Sequence, residues 1–296
     1  MRKVIVSHPF NKKLLVFAIA ALVMFSFAAC ENLTGINTAK TATSEGLAFK
    51  LINGDTEYEV SNGTATSNYI IIPETHEGLP VTRIATYAFY DSRVKGVAIP
   101  STVTSVGNCA FYDCSRLNSI TIPDSVMSIG GAAFSGCSSL ESITVKSGNT
   151  IYRSEGNCLI RIADIALILG CKNSIIPNGV TIFGDYAFAG CAGLKSITIP
   201  DSVMSIGFEA FYDCSSLTSI AIPSGVTSIS AAAFDVCDSL TRVFYGGADI
   251  AAWNEISIDR FNENLTSAVR YYYSETNPGT ANTHWHWVDG APAIWG

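Results

Sequence analysis

Residues 122–144 read IPDSVMSIGGAAFSGCSSLESIT and residues 199–221 read IPDSVMSIGFEAFYDCSSLTSIA, two copies of one 23-residue unit. The unit is Ile-Pro-x-x-Val-x-x-Ile-Gly-x-x-Ala-Phe-x-x-Cys-x-x-Leu-x-x-Ile-x. Proline keeps its register at Pro100, Pro123, Pro177, Pro200 and Pro223. The 54-residue gap from Pro123 to Pro177 equals one 23-residue unit plus an irregular unit of 31. Phenylalanine follows the same step from Phe89 and Phe111 through Phe134, Phe188, Phe211 and Phe234. So regular a period of 20 to 30 residues marks a solenoid, in which each turn buries its faces only against its neighbours.

The chemistry of one turn follows from its spacing. Leu117-x-x-Ile120-x-Ile122 is the strand of a leucine-rich repeat, and the two-residue alternation points Ile120 and Ile122 inward and Ser119 and Thr121 outward. Pro123 has no N–H to donate, so the strand ladder ends there. Val126 and Ile129 turn inward on the opposite wall, and Gly130 is expected to permit a tight bend. Ala133-Phe134 then fills the interior, and Cys137 and Leu140 lead back to the next strand. The fold class expected is a repeat solenoid: a right-handed superhelix of about seven stacked β-strand turns, predominantly β with short helical turns, closed by N- and C-terminal caps.

The flanks depart from the repeat. Residues 46–72 read as an N-terminal cap with strands around Asn53-Gly54-Asp55. The solenoid is expected over 73–245, with its irregular unit at 145–175 forming a hairpin that keeps the stack continuous. Residues 246–296 read as an aromatic C-terminal cap, with Ala268 to Tyr273 and Trp285 to Val288 as a closing hairpin.

The first 29 residues read as an export signal: Arg2, Lys3, Lys12 and Lys13 precede an apolar run from Leu14 to Ala29, with no acidic residue before Glu31. Phe27-Ala28-Ala29-Cys30 resembles the end of a bacterial lipoprotein signal, which implies diacylation of Cys30 and anchoring in the membrane. Ordinary cleavage near Ala29 and an uncleaved anchor helix are the alternatives. Residues 30–45, rich in Thr, Ser, Ala and Asn, read as a flexible tether.

Removing residues 1–29 takes away four basic residues and no acidic one, leaving 14 basic against 25 acidic, a charge of about −11. That balance repels phosphate backbones, so nucleic acid is excluded as a partner. Nine cysteines in an exported chain raise the question of disulfides. The ladder Cys114, Cys137, Cys191, Cys214 and Cys237 argues against them, because stacked strands hold equivalent Cβ vectors parallel and farther apart than a bridge prefers. These five read as buried small apolar side chains. Cys109, Cys158 and Cys171 fall outside the ladder and stay open.

The register Ile122 to Leu140, repeated from Ile199 to Leu217, resembles the BspA-like leucine-rich repeats of bacterial surface proteins. The resemblance covers about residues 70–245. It implies a surface-displayed, non-enzymatic adhesin or interaction module, whose partners would be a host matrix or cell-surface protein or another bacterial cell surface.

Because the motif residues are core, candidate sites lie on what the motif leaves free. The outward strand positions Ser119, Thr121, Ser142, Thr144, Ser196, Thr198, Ser219, Arg242 and Phe244 form the candidate binding face, against the plainer reading that Ser and Thr are soluble fillers. Aromatics concentrated after Phe244 suggest either a platform for stacking sugars or large apolar side chains that close the core. His284, His286 and Asp289 could hold a metal but lack further ligands nearby in sequence, and neither a metal nor a cofactor is expected. Asp113 and Asp213 share a repeat phase that Gly136 and Gly190 occupy elsewhere, as suits a variable exposed bend. No Gly-x-Ser-x-Gly elbow, phosphate-binding loop or recurring inward carboxylate pair is present, so no catalytic residue is assigned. A carbohydrate-binding protein acting through the aromatic segment and a structural envelope lipoprotein are the competing expectations.

Overall fold

The computed structural model describes residues 44–280 and 283–296. The leader, Cys30 and the tether up to residue 43 lie outside the described residues.

The chain begins with an antiparallel pair, β1 (Ala48–Ile52) and β2 (Glu57–Ser61), turning through Asn53, Gly54 and Asp55, all with positive φ. β3 (Tyr69–Ile71) follows, then β4 (Thr75–His76) and β5 (Leu79–Ile84), which pairs in parallel with β2. From here the path alternates between two walls. β6 (Gly96–Ala98), β8 (Ser119–Ile122) and β10 (Ser142–Val145) lie on one, and the two-residue strands β7 (Ser105–Val106) and β9 (Ser128–Ile129) on the other. Equivalent residues pair in parallel: Ile84 with Val106 and Val106 with Ile129 on the second wall, Ile120 with Ile143 on the first.

A third wall is made of turns. Phe111 N–H donates to the Ala133 carbonyl at 2.7 Å and Phe211 N–H to that of Ala233 at 2.8 Å, so each Ala-Phe turn hangs on the next. The rings stack inside, Phe89 on Phe111 and Phe111 on Phe134 with centroids 5.2 Å apart, and Phe188, Phe211 and Phe234 likewise beyond the irregular unit. The cysteines are more than apolar filler. Cys114, Cys137, Cys214 and Cys237 each place Sγ 3.0–3.3 Å from the carbonyl of the phenylalanine one turn earlier, within reach of a weak S–H donor. All eight described cysteines are free thiols, including Cys109, Cys158 and Cys171.

Gly130 has a different role from the bend expected of it. Its φ is not positive; instead a Cβ there would sit 2.5 Å from the Asn108 amide nitrogen of the preceding turn. The Ile-Gly pair is therefore a close-packing signal between turns.

The irregular unit is a wedge. β11 (Tyr152–Glu155), β12 (Cys158–Arg161) and β13 (Ala166–Leu169) form an antiparallel meander, and β13 then pairs in parallel with β14 (Ile182–Phe183) on the second wall. Both faces of β12 and β13 are buried. Leu159 and Leu169 pack into the core of the first half, while Cys158, Ile160 and Leu167 pack into that of the second. The wedge interrupts both strand walls and the phenylalanine stack. The turn wall alone stays bonded across it, through Gly136 N–H to the Ala189 carbonyl at 3.0 Å.

The second half repeats the first: β15 (Ser205–Ile206) and β17 (Ser228–Ile229) extend the second wall, β16 (Ser219–Ile222) and β18 (Arg242–Tyr245) the strand wall. The stack then continues past Tyr245. Asp249 caps α1 (Ile250–Asn254), β19 (Ser257–Ile258) pairs with β17, and α2 (Glu263–Ser267) leads to β20 (Val269–Tyr273), which pairs in parallel with β18. The expected closing hairpin is corrected here. β21 (His284–Val288) pairs with β20 in parallel, and the antiparallel hairpin is the one between β21 and β22 (Ala291–Ile294). Extra parallel strands at the end bring the solenoid to about nine turns.

Candidate interaction surfaces

On the strand wall, β8 and β10 set Ser119 beside Ser142 and Thr121 beside Thr144, all four accessible to solvent. In the second half Ser219 stands beside Arg242, which is exposed. Between these patches the face is broken. Residues 196–199 join their neighbour only through a single bridge, Thr198 to Ala221, and β11 lies alongside β10, its Ser154 hydroxyl accepting the Val145 N–H at 2.9 Å. Ser196 and Thr198 are exposed, but they belong to the second patch.

Phe244 is not a surface residue. Only 3% of it is exposed, because Tyr271 stacks on it at 5.4 Å and Trp285 covers it at 5.7 Å. Trp285 is pinned by its indole N–H, which donates to the Tyr245 carbonyl at 2.7 Å. The aromatic tail thus serves two ends. Trp253 and Leu265 close the core, whereas Tyr273 and the 42%-exposed Trp287 line, with Asp201 and Ser224, a cleft of about 360 Å³ at the strand ends.

His284 and His286 are otherwise engaged. His284 Nδ1 lies 2.8 Å from the Thr283 hydroxyl, and the His286 ring stacks on Trp295 at 3.6 Å. Among the described residues no three His, Cys, Asp or Glu side chains gather as a metal site.

The turn wall carries aromatics that the motif does not specify. Tyr87 and Tyr90 are 59% and 51% exposed; Tyr90 stacks on Tyr112 at 5.5 Å, and the three line a cleft of about 540 Å³ with Cys109. Tyr186 and Phe208 meet edge to face at 5.5 Å farther along. Carboxylates accompany them. Burial, then the charges of Asp91 and Asp213, raises the Asp113 carboxyl above its ordinary value; burial, then Asp235, does the same to Glu209. The signal was present in sequence, as Tyr-Asp pairs at 90–91, 112–113 and 212–213.

The family model for the BspA type leucine rich repeat region matches in six copies, over residues 63–162 and 169–273. The chain belongs to the BspA-type leucine-rich repeat family. The match runs to the end of β20, in keeping with a stack that continues beyond Tyr245. Among solved structures, the BspA-type chain is similar to a leucine-rich repeat protein of T. pallidum, at 24% identity and a TM-score of 0.43 over 74% of this chain and 86% of that one. A leucine-rich repeat protein from Eubacterium ventriosum gives 20% identity and 0.46, over 78% and 77%. A leucine rich cell surface protein from Faecalibacterium prausnitzii gives 24% and 0.30, over 75% and 98%. No curated protein matches. BspA-type proteins are non-enzymatic repeat proteins, and membership makes this chain a protein-interaction repeat module.

Proposed function

We propose that this chain is an exported bacterial surface lipoprotein, anchored through Cys30, that acts as an adhesin by binding a host matrix or cell-surface protein, or another bacterial surface, with its strand wall. The observation that carries the reading is the register that places Ser119 beside Ser142 and Thr121 beside Thr144, a flat, uncharged, hydrogen-bonding patch held rigid by a fully apolar core. Rigid presentation lowers the ordering cost of binding. The full chain should capture a surface protein saturably from host or bacterial extracts; equal binding to unrelated proteins would overturn the proposal. Cys30→Ser should abolish fatty-acid incorporation, and protease treatment of intact cells should remove the protein if it faces outward. Survival would favour an internal envelope role.

A second reading rests on the cleft beside Trp287. A half-exposed indole with Tyr273, Asp201 and Ser224 at hand suits a sugar ring, which stacks one face and hydrogen-bonds through its edge. Trp287→Ala with glycan-array binding tests it. Deleting the tail would not, because Leu265 and Trp285 are core.

A further inference from the structure

The turn wall reads differently from the rest of the surface. Its six equivalent segments, 86–91, 108–113, 131–136, 185–190, 208–213 and 231–236, carry six carboxylates and neither Lys nor Arg. None of the four ion pairs among the described residues uses any of them. The same segments hold the exposed tyrosines, so the charge borders an aromatic groove instead of standing alone.

Register shapes that groove. A continuous ladder joins Asp113 N–H to the Ser135 carbonyl, Gly136 N–H to Ala189 and Gly190 N–H to Tyr212, at 2.8, 3.0 and 2.7 Å. Tyr112-Asp113 and Tyr212-Asp213 are therefore equivalent pairs on either side of two turns that bear only Ser135-Gly136 and Ala189-Gly190. The result is a notch with a small-residue floor and a Tyr-Asp pair on each bank, opening at one end into the cleft of Tyr87, Tyr90 and Tyr112. A flexible cationic side chain lying across the floor would meet carboxylates at its head and tyrosine faces along its stem.

We propose that this aromatic groove docks an arginine-bearing segment of a partner protein, with guanidinium groups stacked on Tyr112 and Tyr212 and paired with Asp113 and Asp213. Arginine fits better than lysine, because its planar group both stacks on a ring and forks onto a carboxylate. The site is separate from the strand wall, so it would serve a second contact or a second partner.

The test uses the full chain and a fluorescein-labelled hexa-arginine peptide, read by anisotropy. Asp113→Asn with Asp213→Asn is the decisive variant; both positions have left-handed backbone, φ 55° and 52°, which Asn accepts. It should weaken binding by about tenfold or more, and Tyr112→Ala with Tyr212→Ala should do so independently. Hexa-lysine should bind the parent more weakly than hexa-arginine. As a control of equal charge, Asp55→Asn with Asp289→Asn, on exposed turns elsewhere, should leave affinity within about twofold. Equal binding by parent and the Asp113/Asp213 variant would overturn the proposal, as would an equal loss in the control. Strand-wall variants should leave peptide affinity unchanged, which separates this result from the fate of the adhesin reading.

Discussion

Asn262 ends the phenylalanine ladder by imitating a turn that is not there. Its Oδ1 accepts the Phe234 N–H at 3.0 Å, the bond that Ala233 supplies to Phe211 one turn earlier, and its Nδ2 donates to the Ser230 and Asp259 carbonyls at 2.9 Å each. Only 3% of the residue is exposed. Asn262→Ala should leave buried backbone groups unpaired and cost about 1–3 kcal/mol, measurable by denaturant unfolding. Asn262→Asp should cost more, since it loses the donor and buries a charge.

Phe211 stacks between Phe188 and Phe234 at 5.2 and 5.0 Å and has no exposed surface. Phe211→Ala should destabilise by roughly 3–5 kcal/mol through the cavity it leaves. Thr121→Ala, on the outer face, should cost well under about 1 kcal/mol. Similar costs for the two would mean that the inward and outward assignments are wrong.

Gly136 and Gly190 are the pivot on which the half-stacks meet across the wedge. Gly190 has φ +72°, and a Cβ on it would fall 2.4 Å from Gly136 Cα. Gly190→Ala therefore combines a clash with left-handed strain, and should cost more than the roughly 1–2 kcal/mol of the strain alone. The equivalent Asp213→Asn, which has room, should be nearly neutral in thermal unfolding.

Burial raises the ladder thiols, Cys114 to about 11 and Cys237 to about 12, so thiolate is scarce in the native state at neutral pH. Brief native alkylation should modify the half-exposed Cys109 before any ladder cysteine. The linkage has a definite sign. Unfolded thiols ionise first as pH rises through about 8.5–9, so the ladder's contribution is intact below that range and declines up to the folded values. Stability should fall with alkali from about pH 9, and less steeply after Cys114→Ala and Cys237→Ala once their own neutral-pH cost is subtracted.

Reading these features from sequence succeeds where period alone fixes a side chain's direction. Phe111, Ile120 and Leu117 point inward because every turn demands it, and they are buried as the spacing requires. It fails where burial depends on a distant segment. Alternation puts Phe244 outside, and only Trp285, 41 residues later, covers it. The parallel pairing of β20 with β21 was illegible for another reason: the alternation of a strand is the same whichever way its neighbour runs. The wedge hid similarly, since its hairpin is buried on both sides and its strands belong to two cores. The turn-wall tyrosines were visible but fell at positions that the motif leaves blank.

The central claim is that the repeat is the scaffold and the outward strand positions the binding surface. The most direct test is saturation binding of the full chain to host cells and matrix protein, beside a variant in which Thr121, Thr144, Thr198 and Arg242 are all changed to Glu. The variant should unfold cooperatively like the parent and lose saturable binding. Unchanged binding by a folded variant would contradict the account and move the function to the turn wall or the aromatic tail.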